Sequence, residues 1–151
     1  PTPPDEDSIQ FESELRELIV QRGVQDHVKL MGSTNEIQNK LQAADLFLIP
    51  STNEPCSVAL MEALAVGLPA IASNSGGNID ILEPESTGLL FTPDSTTSLT
   101  STLERALSGS WNPAPASKIR DSVRSRSATQ VTQSHASIYQ NLISLKGHGS
   151  C

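Results

Sequence analysis

The chain has 151 residues, 36% hydrophobic and 18% charged, with a net charge of −7 and a pI near 4.8. That length supports one core rather than two, and an acidic chain with scattered basic residues argues against nucleic acid or an anionic membrane as main partner. Cys56 and Cys151 are too few for a zinc site or disulfide framework, and no signal peptide or long apolar run is visible, so the cytoplasm is the expected compartment.

Residues 1–8 are rich in proline and acid and read as a disordered lead-in. Asp5-Glu6-Asp7 has the Asp-x-Asp form of a metal-binding pattern, but it precedes a helix rather than ending a strand, so it reads as an acidic helix start and no metal is expected. Phe11, Leu15, Leu18 and Ile19 mark an amphipathic helix ending at Gly23. A strand is expected at 28–31, a short helix around Ile37 and Leu41, and a buried strand at 46–49 stopped by Pro50. Helix formers run from Ser57 to Val66 and close with Gly67 and Pro69. A strand at 70–72, the pair Gly76-Gly77, a short helix at 79–82, a strand at 89–91 and a helix over 95–108 follow. Strands alternating with helices predict an α/β fold, a Rossmann-like parallel sheet with helices on both faces.

Trp111-Asn-Pro-Ala-Pro115 reads as a linker. Beyond it, Ile119, Val123, Val131, Ile138, Tyr139, Leu142 and Ile143 predict two helices or one bent helix. The expected division is therefore a lead-in at 1–8, a Rossmann-like domain at 9–110, and a linker with helical tail at 111–151. His27, His135 and His148 have no ligand spacing and read as surface residues.

Function is most legible where Glu54 and Glu62 stand eight positions apart across the loop and helix that follow the 46–49 strand. With Ser57 as N-cap, its hydroxyl accepts a first-turn amide, and the remaining amides with the helix dipole form a site for a diphosphate. Glu62 lies five residues past the cap, about 7.5 Å along the axis, which suits a ribose whose hydroxyls donate to a carboxylate. Glu54 precedes the helix, outside the strand's carboxyl end, within reach of a sugar beyond the phosphates. Cys56 reads as a small buried apolar residue rather than a reactive thiol.

The pieces Val28-Lys-Leu-Met-Gly32, Ala43-Ala-Asp-Leu-Phe-Leu-Ile-Pro-Ser51, the Glu54 to Glu62 motif, Gly67-Leu-Pro69, Gly76-Gly77 and Thr87-Gly-Leu-Leu90 follow one another in this order. In order and spacing they resemble the carboxyl-terminal donor-binding domain of retaining glycosyltransferases of the GT-B fold (family 4-like, glycosyl transferases group 1). The resemblance implies a hexose-type transfer from a nucleotide-sugar co-substrate, without metal or other cofactor. It implies Glu62 on the ribose, Glu54 on the donor sugar as the catalytic glutamate, and the N–H groups of Cys56, Ser57 and Val58 facing sugar and diphosphate. It also implies Met31, Ser33 and Thr34 at the base, and Gly76 and Gly77 beside the donor. One departure stands out: most relatives carry Phe-Gly or similar where this chain has Cys56-Ser57. Asp80 stands where relatives usually carry Glu.

Such a domain would open with strands, a glycine-rich loop, and an Arg and a Lys for the diphosphate. The chain is therefore expected to be partial at its amino-terminal end, to lack the amino-terminal acceptor-binding domain, and to be inactive alone. Peripheral membrane contact would come through those missing parts. The competing expectation is a non-catalytic nucleotide-sugar-binding module or enzyme remnant. An oxidoreductase is disfavoured because no Gly-x-Gly-x-x-Gly fingerprint occurs.

Overall fold

The computed structural model describes residues 6–147, which fall into two compact units, Pro1–Asn35 and Glu36–Cys151. Residues 1–5, with Asp5, and 148–151, with His148 and Cys151, lie outside the described residues.

In the first unit, α1 (Glu6–Gln21) places Glu6 and Asp7 in its first turn, where carboxylates favour the positive end of the helix dipole. Residues 6–8 of the expected lead-in are thus helical. The helix stops as its sequence indicates: Gly23 takes φ 64°, its N–H bonds to Val20 O at 3.0 Å, and the Val24 N–H bonds to Ile19 O at 3.1 Å. This paired closure satisfies the last carbonyls. The strand expected at 28–31 does not form: these residues have no regular structure, and the Val28 amide bonds back to Val24 O at 3.0 Å. An apolar run becomes a strand only when a neighbour completes its ladder, and among the described residues none pairs with it.

The second unit is built on a parallel sheet in the order β1 (Phe47–Ile49), β2 (Ala70–Ser73), β3 (Gly88–Phe91). Its register sets Phe47 beside Ala70 and Ala70 beside Gly88. Around it lie α2 (Ile37–Gln42), α3 (Val58–Ala65), α4 (Asn78–Ile81), α5 (Thr96–Leu107), α6 (Ala116–Ser122) and α7 (Ala128–Gly147). All four residues of β2 are buried, and the period of two divides them between faces. Ala70 and Ala72 pack with Leu60 and Leu64 of α3 and Ile81 of α4, while Ile71 packs with Leu89, Phe91 and the α5 residues Leu99 and Leu103. The expected α/β fold, with helices on both faces of a parallel sheet, is the observed one.

The first part of the segment read as a linker and tail, from Trp111 to Val123, packs instead into the core. Trp111 is buried on the α5 face and its Nε1 donates to Glu85 O at 3.0 Å. Ile119 of α6 is 1% exposed and, with Val123, completes the α3 face. A short 3₁₀ turn, Arg124–Arg126, then leads to α7, where Ile138, Tyr139, Leu142 and Ile143 are exposed. Arg105 of α5 forms a two-bond pair with Glu85, at 2.8 and 2.6 Å. Those bonds hold the Glu85 carboxyl below its ordinary value. A depressed carboxylate stabilises the fold above its unfolded pKa and loses that effect as pH falls through the folded one.

No described helix is long and apolar enough to cross a membrane.

Candidate functional site

The carboxyl end of β1 opens into the loop 50–57, which feeds α3. Ser57 has extended backbone (φ −78°, ψ 95°), and its Oγ accepts from the Leu60 N–H at 3.2 Å. Ser57 is therefore the N-cap that its position before the helix formers predicts. The first backbone bond of the helix runs from the Met61 N–H to Ser57 O at 3.1 Å. Helix geometry leaves the amides of Val58 and Ala59 without an intrahelical acceptor, and both residues are exposed. They form the positive end of α3.

Glu54 is half-buried ahead of this end, while Glu62 is exposed on the outer face of α3. The opposite face, with Leu60, Ala63 and Leu64, is spent on the core. Glu62 borders two grooves. One, of about 410 Å³, lies between Val58, Met61 and Ala65 of α3 and Arg120, Arg124 and Arg126; the other, of about 310 Å³, is lined by Ile37, Gln38 and Leu41 of α2. Each arginine already has a partner: Arg120 donates to Val66 O, Arg124 pairs with Asp121, and Arg126 donates to Asp80 O. Asp80 thus takes part through its backbone.

Cys56 is exposed, against the reading of a buried apolar residue. The cap explains why. Capping turns the Ser57 side chain inward, and in extended backbone the preceding side chain points the opposite way.

Gly76 and Gly77 come directly against the glutamate loop. A Cβ on Gly76, which has φ 52°, would lie 2.3 Å from Glu54 O, and one on Gly77 would lie 2.5 Å from Pro55 O. The Gly77 N–H donates to Glu54 O at 2.7 Å. Only residues without Cβ permit this approach, and the left-handed φ of Gly76 adds a second reason for glycine there. The structure thus brings together Glu54, Cys56, Ser57, Val58, Glu62, Gly76 and Gly77, all within the second unit. Met31, Ser33 and Thr34 belong to the first unit, on the irregular segment around Gly32 (φ 64°).

Sequence reasoning missed a polar cluster behind this loop. Ser73 Oγ donates to the Ser51 carbonyl. It also lies 2.9 Å from Ser75 Oγ and 3.1 Å from Asn78 Nδ2. Ser73 and Asn78 are fully buried. A serine in an otherwise apolar strand, five residues before a helix that starts with asparagine, was the available signal. Among the described residues no group of three His, Cys, Asp or Glu is placed to hold a metal ion.

The model of the family described as "Glycosyl transferases group 1" matches residues 8–126. The amylovoran biosynthesis glycosyltransferase AmsK of Erwinia amylovora is 35% identical over 113 residues, covering 70% of this chain and 28% of that protein. Among solved structures, the sucrose-phosphate synthase of Thermosynechococcus elongatus superposes with a TM-score of 0.82 at 25% identity, over 95% of this chain and 37% of the synthase. The Anabaena protein HepE, solved in complex with UDP, gives 0.74 at 25% identity over 92% of this chain and 37% of HepE. The chain thus spans between 28% and 37% of the length of these relatives.

Proposed function

We propose a donor-binding role from one premise: this chain belongs to the glycosyl transferases group 1 family. Its fold is that of the carboxyl-terminal part of GT-B glycosyltransferases. The proposed activity is retaining, metal-independent transfer of a hexose-type sugar from a nucleotide diphosphate to an acceptor held by another domain. The observation that carries it is the Ser57-capped start of α3, with Glu54 in the loop before it and Glu62 on the outer face after it.

In this reading the diphosphate lies at the positive end of α3, against the N–H groups of Cys56, Ser57 and Val58. As the bond from sugar to phosphate breaks, negative charge develops on the leaving diphosphate. Fixed amide dipoles stabilise that charge without reorganising. Glu62 accepts from the ribose hydroxyls and Glu54 orients the sugar, with Gly76 and Gly77 backing its loop. The UDP bound to HepE supports a nucleotide donor. The Cys56-Ser57 departure is compatible with a working site, because the Ser57 side chain is turned into the cap.

The test is a pair of variants in the complete protein, assayed with UDP, ADP and GDP and their glucose conjugates. Glu62→Ala should weaken nucleoside diphosphate binding by about 1–3 kcal/mol, the cost of leaving hydroxyl donors unpaired. Glu54→Gln should depress turnover while sparing that affinity. Unchanged calorimetric affinity in Glu62→Ala rejects the ribose assignment, and equal loss of both properties in Glu54→Gln moves Glu54 onto the nucleotide.

The polypeptide 1–151 by itself should transfer no sugar at a measurable rate. Holding two reactants in register can contribute about 7–11 kcal/mol toward the barrier, and here the acceptor is proposed to sit on a different domain. Turnover by purified, folded 1–151 at an ordinary enzymatic rate would refute that division of labour.

A further inference from the structure

We propose that Ser73, Ser75 and Asn78 are positioning residues: a one-way chain of hydroxyl and amide donors that pins the Ser51 carbonyl and so fixes the loop carrying Glu54. Its consequence for substrate rests on the donor-site reading above. Its geometry does not.

The direction follows from counting protons. A serine hydroxyl has one proton and two lone pairs. The Ser51 carbonyl only accepts, so it takes the Ser73 proton. Asn78 Nδ2, 3.1 Å away, only donates, and fills one Ser73 lone pair. Ser75 Oγ, 2.9 Å from Ser73 Oγ, must then donate too, its single proton lying also toward Ser51 O at 3.3 Å. The hydroxyl of Ser73 is saturated in one orientation.

Asn78 keeps this orientation although its Oδ1, buried, has no partner among the described residues. The flipped amide would set an acceptor against Ser73 and draw the proton away from Ser51. A buried unpaired acceptor is costly, and two bonds from Nδ2 stand against it, to Ser73 Oγ at 3.1 Å and to Ser73 O at 3.4 Å. The orientation they favour leaves the Ser73 proton to Ser51, where the chain leaves β1, and farther along the same loop the Glu54 carbonyl is held by the Gly77 N–H at 2.7 Å. Both anchors come from the single segment 73–78, so the stretch from Ser51 to Glu54 is held at each end by a fixed carbonyl.

Asn78→Asp keeps the side chain's size but exchanges the donor for an acceptor, which turns the Ser73 proton away from Ser51 and onto the new carboxylate. Ser73→Ala removes the donor. Ser73→Thr keeps it, in a strand position that suits threonine. Hydrogen exchange reads the clamp without any ligand, through the amides of Gly77, bonded to Glu54 O, and Leu60, bonded to Ser57 Oγ. In the full chain, Asn78→Asp and Ser73→Ala should speed exchange at both by about tenfold relative to the amides of α5, and Ser73→Thr should restore it. Unchanged exchange, or equal acceleration in α5, overturns the clamp. Titration with UDP and UDP-glucose reads its consequence. The two loosened variants should lose more affinity for UDP-glucose than for UDP, whereas undiminished UDP-glucose binding overturns the positioning role. A wild-type protein that binds neither nucleotide refutes the donor-site reading alone, and exchange still decides the clamp.

Discussion

Gly76→Ala should destabilise the second unit by about 2–5 kcal/mol and abolish measurable nucleotide-sugar binding. Two costs add. The residue takes φ 52°, where an L side chain costs about 1–2 kcal/mol, and its new Cβ would stand 2.3 Å from the Glu54 carbonyl oxygen, an overpacking of about 1–3 kcal/mol. The obstacle is backbone, so no rotamer change relieves it. The chain must move either the Gly76 turn or the Glu54 loop, and moving that loop displaces the proposed sugar-binding carboxylate. Gly77→Ala separates the two terms: it meets Pro55 O at 2.5 Å but has no left-handed φ to maintain. Urea denaturation should rank Gly76→Ala below Gly77→Ala, and both below wild type. If Gly76→Ala unfolds at the wild-type midpoint and still binds UDP-glucose, the close packing of the glycine turn on the loop is wrong.

That contact also marks where the sequence stops being informative. The motif helix was legible because every local signal agreed: a serine before helix formers, an apolar face, and glycine and proline after it. Its cap is found as read, at Ser57. The strands after residue 45 and the alternation that predicts a parallel sheet were legible for the same reason. The 28–31 run carried an equally good local signal and failed, because a strand is a property of a pair. Trp111 failed in the opposite direction. Flanking prolines punctuate the backbone, but they do not say whether an indole finds a carbonyl, and this one finds Glu85 O. The Ser51, Ser73, Ser75 and Asn78 cluster joins positions up to 27 apart along the chain. The serine ending β2 and the asparagine opening α4 hint at it, but the Ser51 partner does not show along the chain; the cluster exists because parallel β1 and β2 end side by side.

Ile119→Ala should cost about 2–5 kcal/mol, as much as removing a central core residue, although it lies beyond a proline-rich stretch that reads as the end of the domain. The side chain is 1% exposed and packs in the same cluster as Leu60 and Leu64 of α3 and Ala70 and Ala72 of β2. Truncating it opens a cavity under the helix whose amino-terminal end forms the candidate site. The sheet cannot readily close that cavity, because its facing residues on β2 are alanines with nothing further to extend. The effect should therefore reach function as well as stability. With α6 loosened, α3 loses one of the elements that fix its axis, and nucleotide affinity should fall along with the unfolding midpoint. Tyr139→Ala on α7 is the control: Tyr139 is 65% exposed, and a surface substitution there should change stability by about 0.5 kcal/mol or less. Equal unfolding midpoints for Ile119→Ala and Tyr139→Ala would return residues 111–151 to the status of an appended tail and remove α6 from the architecture that supports the site.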